Sequence, residues 1–215
     1  MNEQERNVPA VVVKRLPRYY RYLGDLLEQN ITKISSGALS KKMNVTASQI
    51  RQDFNYFGGF GQQGYGYNVE HLYQAIGDIL GLHDEDTTII IGAGNLGRAL
   101  ANHSHFAKRG FKLVGIFDID ENIIGTRING IEVMPSDRLK DFLAENRVDI
   151  ALLTLPGKAV KDTAELLAKC GVRGLLNFSY TELKLSENVA VENVHMSESL
   201  MTLSYKIKQS KGRFE

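Results

Sequence analysis

Apolar residues recur at helical spacing through the first 80 positions of the chain, then fall into short β-branched runs separated by further helical stretches. That change of period predicts two domains. In the first, Tyr19, Tyr20, Leu23, Leu26 and Leu27 mark one face of a helix, and Pro17 either opens it or kinks a longer helix that begins near Pro9. Ile31 to Ser35 reads as a short extended link. Ser36 is placed to cap a helix through Met43, Asn44 and Val45 form a tight turn, and Thr46 with Gln49 three residues on makes a capping box for the next helix. Two short helices joined by a brief turn predict a helix-turn-helix. The following segment GGFGQQGYGYNV interleaves five glycines with aromatics, which suits a β-hairpin with a tight turn, the wing of a winged helix. His71 to Leu82 is expected to be a further helix and His83 to Asp86 a linker.

The second part has the alternation of a parallel sheet. Strands are expected at Thr87–Ile91, Lys112–Phe117, Ile131–Met134, Asp149–Thr154, Gly174–Asn177 and Val189–Val191, with helices at Asn95–Arg109, Pro135–Asn146 and Lys158–Cys170 between them. Met196 to Lys208 closes the chain as an amphipathic helix with Leu200, Leu203 and Ile207 on one face, capped by His195 or its neighbours. The fold class is therefore α/β: a winged helix-turn-helix domain over residues 1–83, a Rossmann domain over 84–194, and a C-terminal helix over 195–215.

Charge sharpens the division. The whole chain carries a formal net charge of only +1. From Pro9 to Asn68, however, eight basic residues face three acidic ones, whereas from Asp84 onward 17 basic residues meet 18 acidic ones. A compact basic module joined to a neutral one is what phosphate binding by one end requires. No apolar run is long enough to span a bilayer, and the polar start MNEQERN lacks the apolar core of a signal peptide, so a cytoplasmic protein is expected. Cys170 is the sole cysteine, which excludes an intrachain disulfide and reads as a small apolar residue within a helix. No metal site is expected.

Gly92-Ala93-Gly94-Asn95-Leu96-Gly97 matches G-x-G-x-x-G directly after an apolar strand and at the start of a helix. The first glycine permits the tight turn, the second lets the backbone approach a pyrophosphate, and the third allows close packing of helix on strand. Asp118 lies 21 residues beyond Gly97 at the end of the second strand, where a carboxylate accepts hydrogen bonds from an adenosine ribose. No arginine follows it to receive a 2′-phosphate, so NADH and NAD⁺ are expected rather than the phosphorylated forms. Thr154, Leu155 and Pro156 after the fourth strand, and Asn177 and Phe178 after the fifth, lie at carboxyl ends where this architecture binds its ligand.

In a winged helix the second helix of the motif enters the major groove, so Ser48, Gln49, Arg51 and Gln52 are the candidate base readers, with Thr46 at the helix start. Arginine addresses guanine and glutamine addresses adenine. Arg15, Arg18, Lys41 and Lys42 are further candidate DNA contacts, as are Phe60, Gln62, Gln63, Gly64 and Tyr65 of the wing.

RLPRYYRYL at Arg15–Leu23, QIRQDFNYFGGFGQQGYGYNV at Gln49–Val69, GAGNLGRAL at Gly92–Leu100, LLTLP at Leu152–Pro156 and GLLNF at Gly174–Phe178 closely resemble the Rex family of redox-sensing transcriptional repressors. The glycine fingerprint is common to many dehydrogenases, but the QIR-DF-YFG-FG block is specific to this family. The resemblance runs through nearly the whole chain. It implies a homodimer that binds a palindromic operator in double-stranded DNA and is released when NADH binds, with the C-terminal helix exchanged between subunits. Two features depart from the family pattern. Gln62 and Gln63 stand where the wing often carries basic residues. His103 and His195 stand where some members have the Tyr and Asp that couple to an arginine of the DNA-binding domain, here Arg21.

Two rival readings remain at this point. An NAD-dependent dehydrogenase fits poorly, because no room is left for a substrate domain and no His-Asp or Lys-Tyr acid-base pair is evident. A CoA- or nucleotide-binding module shares the glycine turn, and Asp118 argues against it.

Overall fold

The computed structural model describes residues 8–56, 61–62, 66–185 and 188–211, which separate into two compact units between Asp84 and Glu85. In the first unit, α1 (Ala10–Val13) and α2 (Leu16–Glu28) are two helices broken at Lys14 and Arg15, with Pro17 in the first turn of α2, where its missing N–H costs nothing. The short strand β1 (Lys33–Ile34) leads to α3 (Ser36–Met43) and α4 (Ala47–Asn55). Ser35, not Ser36, caps α3 by accepting the Ala38 N–H at 3.0 Å. Asn44 makes the turn between the two helices in the left-handed region, at φ 53°. Thr46 caps α4 as expected, accepting the Gln49 N–H at 3.1 Å. The reciprocal half of the capping box does not form, because the Gln49 side chain turns instead toward Asp53.

The hairpin strands β2 (Gly61–Gln62) and β3 (Gly66–Asn68) pair antiparallel, with Gly61 opposite Tyr67, and β3 also pairs with β1. This three-stranded sheet beside a helix-turn-helix is a winged helix. Phe60, Gln63, Gly64 and Tyr65 lie outside the described residues, and Gln62 is described in its backbone only. The next helix, α5 (Val69–Ile79), starts two residues earlier than its apolar pattern suggests, because Asn68 caps it through the His71 N–H. Leu16, Tyr19, Leu23, Leu39, Ile50, Phe54, Leu72 and Ile76 are fully buried and form the core of the unit.

The second unit carries β4 (Asp86–Ile91), α6 (Asn95–Ala101), β5 (Phe111–Asp118), β6 (Arg127–Ile128), β7 (Ile131–Pro135), α7 (Leu139–Glu145), β8 (Ile150–Leu153), α8 (Gly157–Lys169), β9 (Gly174–Asn177), β10 (Ala190–Asn193) and α9 (Met196–Lys211). Its sheet order is β10-β9-β8-β4-β5-β7-β6, parallel throughout except for β6. This is the Rossmann arrangement, with the chain reversing direction across the sheet on either side of β4. Helices α7 and α8 cover one face over Ile89, Ile91, Ala151 and Leu153, and α6 covers the other over Ile90, Ile116 and Leu152. The parity of buried residues along each strand follows from the pleat.

Two details differ from the sequence pattern. The helix expected over Asn95–Arg109 ends at Ala101, where Asn102 folds back onto the Arg98 carbonyl, and only a 3₁₀ turn at Ala107–Arg109 follows. The polar run Asn102-His103-Ser104 competes with the helix for backbone hydrogen bonds. A hairpin of β6 and β7 turns at Asn129 and Gly130, both at positive φ, an Asn-Gly turn that the sequence pattern did not single out. No helix joins β9 to β10 among the described residues. On the α6 side of the sheet this leaves an apolar groove of 340 Å³ lined by Phe106, Phe111, Ile150, Leu176 and Val191.

Candidate dinucleotide site and DNA-reading face

The carboxyl ends of β4, β5, β8 and β9 bring together the residues picked out by spacing. Gly92 leaves β4 at φ 100°, and a Cβ there would lie 2.8 Å from the Thr154 carbonyl oxygen, so strain and crowding both exclude a side chain. At Gly97 a Cβ would stand 1.9 Å from the Gly92 carbonyl oxygen, which is the close helix-strand approach the third glycine exists to allow. Gly94 differs from both. Its Cβ would meet nothing within 4 Å, so the absent side chain leaves open space beside the backbone rather than relieving a contact inside the protein. Gly94 is also the N-cap of α6, and no side chain caps that helix. A bare backbone turn facing open space is the cradle a pyrophosphate needs, and the residues present fit a dinucleotide.

Thr154 fastens this turn from the neighbouring strand, its hydroxyl meeting the Gly92 and Ile91 carbonyl oxygens at 2.6 and 3.0 Å. Asp118 accepts the Ala93 N–H on one carboxylate oxygen and the Ile119 and Asp120 N–H groups on the other. It therefore joins the end of β5 to the glycine turn. Pro156 starts α8, and Leu155 packs into the core beneath it.

Asn177 has a different job from the one its position suggested. It is fully buried, donating to the Thr181 carbonyl and the Asn193 side chain while accepting from the Ser179 N–H and hydroxyl. Its side chain holds the loop after β9 and has no capacity left for a cofactor. Phe178 is half-buried, and its backbone N–H is anchored to the Leu153 carbonyl.

His195 stacks on Tyr180, with ring centroids 5.7 Å apart. Its Nδ1 donates to the Glu198 carboxylate at 2.8 Å and its Nε2 to the Ser179 carbonyl at 3.1 Å. Both partners are acceptors, so only the imidazolium satisfies both, and the Glu198 hydrogen bond holds its pKa above the ordinary histidine value. His103 stacks instead on Phe106 at 4.8 Å. Within one chain the two histidines are engaged separately.

On the first unit, Ser48, Arg51 and Gln52 of α4 are exposed, as are Thr46, Lys41, Lys42, Arg18 and Arg21. Arg51 reaches the Ser36 hydroxyl at 3.2 Å, and Lys42 lies over the Tyr22 ring. Arg15 does not belong to this exposed set. Its guanidinium turns inward and grips Asp53 through Nε and Nη2, both at 2.7 Å. Tyr19 donates to the same carboxylate at 2.7 Å, and Gln49 at 3.0 Å. Burial pushes the Asp53 carboxyl up, but the hydrogen bonds from Arg15, Tyr19 and Gln49 outweigh it and hold the pKa below the ordinary value. Burial and the same carboxylate push the Tyr19 hydroxyl upward. In sequence Asp53 is one more acidic residue in a basic module. Only its position four residues after Gln49, on the buried side of α4, hinted at more.

Residues 7–55 match the family model described as "Putative DNA-binding protein N-terminus", and residues 83–181 match the model described as "CoA binding domain". A redox-sensing transcriptional repressor Rex from Thermoanaerobacter pseudethanolicus is 51% identical over 206 residues, covering 96% of this chain and 92% of that protein. The chain belongs to the Rex family of redox-sensing transcriptional repressors. The Rex repressor of Clostridioides difficile is 48% identical, covering 96% of this chain and 98% of its own length. Among solved structures, the Rex-family repressor RSP in complex with NAD⁺ and operator DNA superposes with a TM-score of 0.89 at 51% identity, covering 95% of this chain and 94% of that one. RSP in complex with NADH gives 0.88 at 48% identity, covering 95% and 96%. Membership covers both units, so the CoA-binding model reflects the shared glycine turn and sheet. No helix among the described residues is long and apolar enough to cross a membrane.

Proposed function

We propose that this chain is a transcriptional repressor that binds a palindromic operator in double-stranded DNA, senses the NADH/NAD⁺ ratio through its Rossmann unit, and leaves the operator when NADH binds. The observation that carries the reading is the pairing of a basic winged helix with a dinucleotide cradle in one chain of this family. Gly92, Gly94, Gly97, Asp118 and Thr154 hold the adenosine and pyrophosphate, and Phe178 faces the nicotinamide. NAD⁺ carries a positive ring and NADH a neutral one, so an apolar wall at Phe178 disfavours the oxidised form by desolvation. Arg18, Lys41 and Lys42 contact phosphates, and Ser48, Gln49, Arg51 and Gln52 read bases. Arg15, being committed to Asp53, supports the reading helix rather than meeting the DNA.

The protein acts as a homodimer, with α9 exchanged between subunits. Leu200, Leu203 and Tyr205 on that helix are 66%, 52% and 63% exposed, an apolar surface that a lone subunit leaves in water, and the groove beside β9 and β10 leaves more. Two-fold recognition of a palindrome requires the same state. His103, His195 and Arg21 occupy the positions of the switch found in some family members. No catalytic residues are assigned, and the cofactor acts as a ligand that shifts a two-state equilibrium. A 100-fold difference in NADH affinity between the states, roughly 2.7 kcal/mol per site, suffices for partial switching.

The test is fluorescence anisotropy of a labelled operator at fixed salt, titrated with NADH, NAD⁺, NADPH and CoA in turn. Release by NADH, with NADPH and CoA without effect, is the expected result. Tight DNA binding indifferent to all four ligands would remove the sensor, and release by CoA would return the second unit to a CoA-binding role.

A further inference from the structure

Gln49 sits at the start of the reading helix, half-buried, and its side-chain amide meets a carboxylate that can only accept. Asp53 lies one turn further along α4 and is fully buried. Oδ1 receives Arg15 Nη2 and Gln49 Nε2, and Oδ2 receives Arg15 Nε and the Tyr19 hydroxyl. The bidentate arginine keeps this carboxylate ionised, so it has no proton to give. An amide facing it has one choice. Its NH₂ turns inward, and a flip that put the carbonyl oxygen against the carboxylate would set two acceptors together in a buried place. The Gln49 Oε1 is then the end left outward, with no donor on it among the described residues.

We propose that Asp53 is a specificity-determining residue that pins the Gln49 amide, so that the recognition helix presents a hydrogen-bond acceptor to the major groove and reads an exocyclic amino group. In the major groove those groups are adenine N6 and cytosine N4, whereas guanine and thymine offer oxygens there. A free glutamine can present either end of its amide. A pinned one keeps one Nε2 proton on Asp53 and cannot exchange its two ends, so guanine and thymine, whose oxygens would face Oε1, are disfavoured at its position relative to a base with an amino group there. Arg15 holds the carboxylate through two hydrogen bonds and so acts on DNA without touching it. The inference rests on the repressor reading above, since it requires α4 to enter the groove.

The experiment starts with an operator enriched from a random duplex library by the full-length protein, and then measures affinity for operators altered one base pair at a time. Comparison with Gln49→Ala identifies the base pair that depends on Gln49. At that base the amino group is deleted, using purine in place of adenine or 2-pyrimidinone in place of cytosine. Deleting the amino group is expected to weaken binding by the wild-type protein about fivefold to tenfold, and by Gln49→Ala not at all. Asp53→Asn, which releases the amide, is expected to flatten the preference at that base pair while leaving discrimination at the others. Tyr19→Phe, which loosens the cluster but leaves the Gln49 hydrogen bond, is expected to keep the preference. The analogue measurements use the wild-type protein, so they decide the matter even if Asp53→Asn does not fold. A Gln49-dependent base pair that tolerates loss of its amino group, or that proves to be read at a guanine or thymine oxygen, overturns the proposal while leaving the repressor reading intact. A library that yields no enriched sequence removes both.

Discussion

Two alanine substitutions in the glycine turn separate the demands of the fold from those of the ligand. At Gly97 an added Cβ stands 1.9 Å from the Gly92 carbonyl oxygen, and ordinary contact begins at 3.4 Å, so α6 must retreat by the difference, about 1.5 Å. The atom in the way is backbone and cannot swing aside. Overpacking of this kind costs about 1–3 kcal/mol of stability. It also displaces the start of α6 from the pyrophosphate, and a misplacement of about 1 Å commonly costs on the order of 100-fold where geometry must be matched. At Gly94 the added Cβ meets nothing within 4 Å. Stability then changes by no more than the loss of a good N-cap residue, about 1 kcal/mol. The methyl group nevertheless occupies the space a pyrophosphate needs, and the same overpacking, now against the ligand, predicts NADH binding weaker by about 10- to 100-fold. The assay is NADH titration by calorimetry, paired with chemical denaturation of each variant. Both variants should still bind the operator, and NADH should fail to release them at concentrations that release the wild type. Gly94→Ala binding NADH within threefold of the wild type would refute the assignment of Gly94 to the phosphate cradle, and an equally stable Gly97→Ala would refute the packing argument.

Ile119 is 81% exposed beside Asp118, and Ile119→Arg should raise NADPH affinity relative to NADH by at least several-fold, read by competitive titration; an unchanged ratio counts against Asp118 as the ribose ligand. Asp53→Ala leaves a guanidinium and a buried tyrosine hydroxyl without their partner and should destabilise the first unit by about 3–5 kcal/mol in urea, whereas a loss below about 1 kcal/mol would mean that the cluster is loosely held. The raised pKa of His195 means that its contribution to stability is fully present below the ordinary histidine pKa and is lost as pH rises through the folded value. Glu198→Gln should bring the value measured by NMR titration back toward the ordinary one, and no change would remove Glu198 as the cause. Leu203→Asp should shift the sedimenting species from dimer to monomer, and a dimer that persists would argue against α9 as the interface.

Much of this protein was set by local chemistry. A glycine triplet between an apolar strand and a helix forms the same turn wherever it occurs, because its requirements are met within a few residues of backbone and one neighbouring strand. The cap at Thr46, the left-handed turn at Asn44, the order of strands and helices in the second unit, and the distance from Gly97 to Asp118 are of this kind, and each is legible in sequence. What the tertiary structure decided is where polar side chains turn when they have several choices. Arg15 turns inward to Asp53, Gln49 turns to the same carboxylate one turn along its own helix, and the buried Asn177 amide bonds Asn193 and the loop that follows it. Asp53 is 38 residues from Arg15 and 34 from Tyr19 along the chain. No periodicity links residues at that separation. Their association follows from the burial of one carboxylate, which must find donors in three dimensions or remain costly, and that need appears only once the helices are packed.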